Sequence, residues 1–428
     1  AMIILASVGF EGLEMPARDG SVALNDGRAA EAFRAWRIVI VGFVALSVAF
    51  SARASLGLVL PTWEAEFGWS RSMVSFGGAV ALVVMAAVAP FAGALVDRHG
   101  PRALLGGGLA LIGAGFLTVA PMQSSVAFFI GYGGLAALGF GGVATHVVAT
   151  AVAGAVDRHR GLATGIATAG ATAGQLVIVP AVAVLLGAVG WRASVAVLGG
   201  VALALGPLAL AVIGRRQPRT ASPDAALPPL GQRLGALARS PVFHLLFWSF
   251  TICGFTTTGV IETHLLPYAA LCGFPPLPSA TAYGVLSAVN MAGMVAAGWL
   301  TDRVNRPLLL SGIYAMRALS FVLLMAVAQD IGLLFLFAVL FGLFDYSTVP
   351  VTASLVASHL GLRVMGLAMG LISAGHAIGA AAGAFLGGWL FDLFAAYQSL
   401  WVASFLLAVA AALMALAIGE RREEPVPA

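Results

Sequence analysis

Twelve separate runs of apolar residues dominate this chain of 428 residues, at 38–60, 73–96, 103–121, 126–153, 162–187, 192–214, 242–267, 279–300, 307–328, 332–358, 366–389 and 398–419. About 20 such residues suffice for a helix to cross the hydrocarbon core of a bilayer. The runs are continuous and lack the period-two alternation of barrel strands, so helices are the predicted element. Composition agrees: 60% of the residues are hydrophobic and 9% charged, against about a quarter charged in soluble domains. The predicted class is an all-α membrane protein with 12 transmembrane helices.

The segments between the runs are short and polar, with one exception. Residues 215–240 are rich in proline, serine and arginine and read as a cytoplasmic linker. It divides the chain into an N-terminal six-helix bundle (36–214) and a C-terminal one (241–419), with cytoplasmic tails at 1–35 and 420–428. The first tail carries Glu11, Glu14, Asp19 and Asp26 and has no basic start, so a signal peptide is not expected there. With both termini in the cytoplasm, 18 of the 22 arginines fall on the cytoplasmic side. The outer loops hold Arg71 and Arg192, while Arg53 and Arg317 lie inside spans. That asymmetry follows the positive-inside rule and points to a multi-pass protein of the cell inner membrane.

Every basic residue apart from histidine is an arginine; the chain has no lysine. A phosphate-binding loop of the G-x-x-x-x-G-K-[ST] type is therefore excluded, and with it direct use of ATP by that route. The arginines sit at helix ends rather than in a stripe interleaved with aromatics, so nucleic acid is not an expected partner. The histidines are dispersed without metal-ligand spacing, which argues against an enzyme and against a metal or other cofactor. Cys253 and Cys272 both lie in apolar surroundings and read as small core residues.

The two halves repeat. A shift of 205 residues lays GALVDRHGP (93–101) on GWLTDRVNR (298–306), so that Gly93 meets Gly298, Asp97 meets Asp302 and Arg98 meets Arg303. The same shift lays GLATG (161–165) on GLAMG (366–370) and Arg158 on Arg363. One offset held over about 75 residues without a gap marks an internal duplication. Two pseudo-symmetric bundles of this kind bind substrate between the halves in many transporters.

The stretch from Gly93 to Arg102, between the second and third runs, resembles the loop signature of the major facilitator superfamily. Its weaker copy, Gly298 to Arg306, lies between the eighth and ninth runs, as in that family. The resemblance covers the chain from about residue 36. It implies the major facilitator fold, transport of a small-molecule substrate within the lipid bilayer, and action as a monomer. It also implies that Asp97, Arg98, Arg102, Asp302 and Arg303 serve gating. A carboxylate at the inner end of a helix can accept hydrogen bonds from the positive end of a facing helix and tie the halves together. EFGWSRS (66–72) is similar to the monocarboxylate and oxalate–formate branch, in which the first helix carries a basic residue; Arg53 lies near that place. Helix eight carries Asn290 and Met294 where that branch usually has a cation.

Polar groups inside the spans are few, and each needs a partner or an aqueous cavity. Arg53 lies roughly 22 Å along its helix at 1.5 Å per residue, and Glu262 sits at a similar height on the seventh. Arg53 either binds an anionic substrate group, forms a latch with Glu262 that breaks on substrate or proton binding, or pairs with it statically. Glu262 is the leading proton carrier, with Thr258 one turn earlier on the same face. His264, two residues on, is expected to be solvated. Arg317 and Asp345 read as a structural pair, with a proton-coupling role for Asp345 as the alternative. Gln175, Asn290 and His376 fall mid-helix on spans that line the cavity in the resembled family. They either fix polar atoms of a substrate or bridge helices, and the same choice applies to His146. The expected function is secondary transport of a small organic anion such as a monocarboxylate, proton-coupled or by exchange. Proton-antiport efflux of amphipathic compounds is the alternative.

Overall fold

The structure, a computed structural model, describes residues 22–69, 71–156, 158–213, 227–328 and 330–420, and no strand occurs among them. The first crossings are α1 (Val22–Phe67), α2 (Arg71–His99), α3 (Pro101–Val119) and α4 (Ser125–Ala155). One helical stretch follows, Arg160–Val212, of 53 residues. It would reach about 80 Å if straight, more than twice the thickness of a bilayer core of about 30 Å. It breaks at Gly190, where φ is 78° and ψ 170°, a conformation that glycine adopts without a Cβ clash. The stretch is therefore two crossings, α5 (160–189) and α6 (191–212), joined by one residue. The second half supplies α7 (Pro241–Leu271), α8 (Pro276–Thr301), α9 (Arg306–Ala326), α10 (Ile331–His359), α11 (Met365–Phe394) and α12 (Gln398–Leu416). Twelve crossings result among the described residues, as the apolar runs predict.

One buried apolar cluster is built from α1 to α6 and includes Leu46, Trp63, Leu105 and Phe128. Two others draw almost wholly on the second half, around Tyr314 and Leu355 and around Phe321, Phe337 and Trp401. The outward faces are also apolar: Phe76, Val83, Phe91, Val184 and Phe385 are all strongly exposed. Water would not tolerate such a shell, whereas lipid requires it, and helices satisfy every backbone group within the span.

The fourth helix of each half is interrupted. The break in α4 falls at Val143 and Ala144, after a stretch of wide π-helical turns at Phe129–Ala136. In α10 the helix stops at Phe344 and restarts at Thr348. Pro350 contributes here, because it has no N–H to offer the Tyr346 carbonyl four residues earlier; a turn bond from Val349 N serves that carbonyl instead, at 3.0 Å. A second π-helical stretch, Phe255–Ile261, lies in α7 immediately before Glu262.

Of the expected tails (1–35 and 420–428), residues 1–21 and 421–428 lie outside the described residues, as do 215–226 of the expected linker. From Val22 the backbone is helical and runs straight into the first crossing. The later part of the linker folds as a short helix, Leu230–Ala238.

Candidate functional site

The bundles are joined at the end that carries the linker helix. Asp97, at the end of α2, accepts hydrogen bonds from Gly366 N at 2.7 Å and Leu367 N at 3.0 Å, the first turn of α11. Asp302, just after α8, accepts from Gly161 N at 2.8 Å and Leu162 N at 2.9 Å, the first turn of α5. The shift of 205 that relates Asp97 to Asp302 also relates the donors 161 and 162 to 366 and 367. A helix start leaves its first N–H groups without intrahelical partners and carries positive charge, so each carboxylate completes the opposite bundle. Close approach makes this possible. A Cβ on Gly93 would strike the main chain of Gly366, and one on Gly298 would come within 2.5 Å of the Gly161 carbonyl oxygen.

The arginines near these loops do different work. Arg102 Nε donates to the Leu210 carbonyl of α6 at 2.7 Å, within its own bundle. Arg303 lies 4.0 Å over the Trp299 ring and donates to the Trp299 carbonyl at 3.2 Å. Arg98 is exposed. The cation that reaches the Asp97 carboxylate is Arg233 of the linker helix, which is only 2% exposed and pairs with it directly. Sequence reasoning treated Arg233 only as a linker charge.

Beyond this seal lies a cavity of about 950 Å³, counting its open mouth, between the two bundles. Ala89 is among the residues that line it, and Gly370 of α11 packs tightly against Ala89 and Pro90. Arg53, His146, Thr258, Tyr346 and His376 also line it, among apolar residues that include Phe50, Met85, Phe140 and Phe250. Arg53 is the only Arg, Asp or Glu among the described residues that line this cavity. Its guanidinium sits 4.6 Å from the Phe50 ring centroid, and its carbonyl accepts from Tyr132 OH at 3.3 Å. The His376 ring lies 5.1 Å from that of Phe250. His146 is 2% exposed, and its Nε2 has no hydrogen-bond partner.

Gln175, Asn290, Glu262 and Asp345 fall together in an adjoining pocket of about 320 Å³, which shares Tyr346 with the main cavity. The break in α10 organises it. Arg317 of α9, fully buried, donates to the Phe344 carbonyl at 3.0 Å and to the Asp345 carbonyl. Asn290 of α8 accepts from Tyr346 N at 3.2 Å and donates to Asp345 Oδ2 at 3.2 Å. Two neighbouring helices thus cap the groups that the interruption leaves free. Tyr346 OH donates to Glu262 Oε1 at 2.9 Å and lies 3.2 Å from Thr258 Oγ1. Thr258 and Glu262 therefore do share a face.

Three expectations take a different form. Arg317 contacts the main chain of Asp345 rather than its carboxylate, because the broken helix leaves carbonyls there to be satisfied. It also donates to Cys253 Sγ at 3.0 Å, so Cys253, free and buried as predicted, has a polar neighbour. Arg53 and Glu262 are not ion-paired; the carboxylate of Glu262 is held by Tyr346. His264 is not solvated. It is 7% exposed, lies 3.1 Å from the Ala384 carbonyl of α11 and packs against the Tyr397 ring. His264 lies two residues past Glu262 on the regular helix Glu262–Leu271 and does point away from it, but that face packs against α11 and Tyr397 rather than meeting water. Tyr346 was missed because an aromatic in an apolar run reads as packing. The signal available was Pro350 beyond Asp345.

Two six-helix bundles around a central cavity define a carrier fold. The family model described as Major Facilitator Superfamily matches residues 42–323 and 295–428. The chain belongs to that superfamily, and it is a multi-pass membrane transporter rather than an enzyme. It is 27% identical over 369 residues to the uncharacterized MFS-type transporter YcxA of Bacillus subtilis, covering 84% of this chain and 88% of that one. It is 28% identical to mouse monocarboxylate transporter 11, covering 82% and 80% respectively. The fold resembles the crystal structure of the human organic anion transporter MFSD10, with a TM-score of 0.68 at 16% identity, over 89% of this chain and 99% of that one.

Proposed function

We propose that the chain is a secondary active transporter that moves a small organic anion, with monocarboxylates the first class to test, across the inner membrane by alternating access. The observation that carries this reading is Arg53, the one formal charge among the described residues of a largely apolar cavity that is closed at one end. An unpaired cation in a low-dielectric cleft favours an anionic group on the ligand. The names of the monocarboxylate transporter relatives and the fold shared with an organic anion transporter support the same class. The distribution of arginines supports a cytoplasmic linker end and cytoplasmic termini. The state described is then closed to the cytoplasm. Asp97 and Asp302 act as gate residues, Gln175, Asn290 and His376 contribute polar contacts, and the carrier works as a monomer. Transport is either an exchange or is driven by a cation that enters through Glu262 and Asp345, with a proton as the simplest case.

The apolar cavity walls also favour a second reading, proton-antiport efflux of amphipathic compounds. A screen of candidate solutes for their effect on the thermal unfolding midpoint separates the two. Carboxylates should stabilise the wild type and not Arg53→Ala. Equal stabilisation of both would remove Arg53 as the anchor, and stabilisation by lipophilic cations alone would establish the efflux reading in its place. If Glu262 carries a proton, Glu262→Gln loses pH-driven uptake and keeps exchange.

A further inference from the structure

The pocket beside the main cavity has the opposite chemistry. The main cavity is lined by an arginine, two histidines and many apolar groups. The adjoining pocket is lined by two carboxylates, Glu262 and Asp345, by the amides of Asn290 and Gln175, and by hydroxyls that include Ser287 and Thr257. No basic side chain is among its described lining residues.

Asp345 is 3% exposed. Its Oδ2 accepts from Asn290, while no donor meets its Oδ1 at hydrogen-bond distance and angle. Apart from the Thr257 hydroxyl, which interacts with the carboxylate, the donors around it are committed elsewhere. Arg317 is turned toward main-chain carbonyls and the Cys253 sulfur. Tyr346 gives its N–H to Asn290 and its hydroxyl to Glu262. A buried carboxylate oxygen without a donor is costly unless a positive partner joins it. The side chains around it offer oxygen, which suits a hard cation. Carriers place coupling ions beside interrupted helices near mid-membrane, and α10 is interrupted at this residue.

We propose that this pocket is a binding site for one sodium ion, anchored by Asp345 Oδ1, with side-chain oxygens of Glu262, Asn290, Ser287 and Thr257 completing the shell. The two acids, set against one fully buried arginine that does not line the pocket, favour a monovalent ion over a divalent one. Tyr346 lines both compartments and bonds to Glu262, so occupancy of the ion site sets the position of a side chain in the anion cavity. As a coupling device the site rests on the transport reading; as an ion site it does not.

The test is thermal unfolding of the detergent-purified full chain, without organic solute, in sodium, potassium or choline chloride at one pH and one ionic strength. Sodium alone should raise the midpoint, saturably. Asp345→Asn should lose the response, and Ser287→Ala and Thr257→Val should weaken half-saturation by about tenfold. An identical midpoint in all three salts overturns the proposal. So does a sodium response that survives Asp345→Asn or, should that variant not fold, one that is unchanged in both hydroxyl variants. Because no organic anion is present and chloride is common to all three salts, loss of organic-anion binding in Arg53→Ala leaves this result untouched, and a missing sodium response leaves the anion reading intact.

Discussion

The two carboxylates that bond across the bundles differ in what surrounds them. Asp97 and Asp302 occupy equivalent positions in the repeat and take the same pair of hydrogen bonds from the opposite bundle. Asp302 is exposed and has no salt bridge to an arginine among the described residues. Asp97 is 7% exposed and meets Arg233, itself 2% exposed. Duplication preserved the main-chain geometry, and the linker then added charge to one side only. A buried ion pair is fragile in a particular way: removing either member strands the other in low dielectric.

The largest effect should follow Asp97→Ala, which strands Arg233 and costs about 3–5 kcal/mol. Asp302→Ala loses solvent-exposed hydrogen bonds and should cost about 1 kcal/mol. Unfolding midpoints of the two variants measure the gap directly, and equal losses would erase the distinction drawn here. Arg233→Ala should cost about 2 kcal/mol, because Asp97 keeps its two main-chain donors. In the Asp97→Ala background the same change should cost nothing, which a double-mutant cycle reads as coupling. Gly366→Ala and Gly161→Ala probe what the two sides share. Each should cost about 1 kcal/mol by overpacking and should raise the labelling rate of a cysteine placed at the linker end. Unequal effects would mean that the close approach is not symmetric.

The smallest effect concerns the far end, where the halves differ again. Glu66 accepts from Trp191 Nε1 and Arg192 Nη1, both at 2.6 Å. These bonds, the Trp191 one first, hold its carboxyl below the usual range. The matching corner of the second half stacks Tyr397 on Phe391 and Trp401 instead. A carboxyl with a depressed folded pKa stabilises above its unfolded value and loses that contribution as pH falls through the folded one. Glu66→Gln should therefore lower stability slightly at neutral pH and converge with the wild type below about pH 4, where the wild-type carboxyl is protonated too. High salt should shrink the difference.

Much of the architecture could be read from the residues alone. Lipid demands unbroken apolar runs, so the crossings announce themselves, and Asp97 and Asp302 stand out because the repeat aligns them. The site was legible only in part. Arg53, Gln175, Glu262, Asn290, Asp345 and His376 all line one of two adjoining pockets, because polar groups in a bilayer have few other places to go. The division into a cationic and an acidic compartment was not visible, since it depends on how the break in α10 directs neighbouring side chains. Arg233 was not visible either. A linker arginine looks like any other solvated charge until its helix folds back onto the gate. His264 was misjudged because residue spacing shows that it points away from Glu262 but not that α11 covers that face.

Arg233 belongs to neither bundle. It rides on the tether between them, so the proposed gate would be a joint of three bodies rather than two. Exchanging this tether for that of a relative, a change ordinarily thought of as altering only reach, would also retune how readily the carrier turns over.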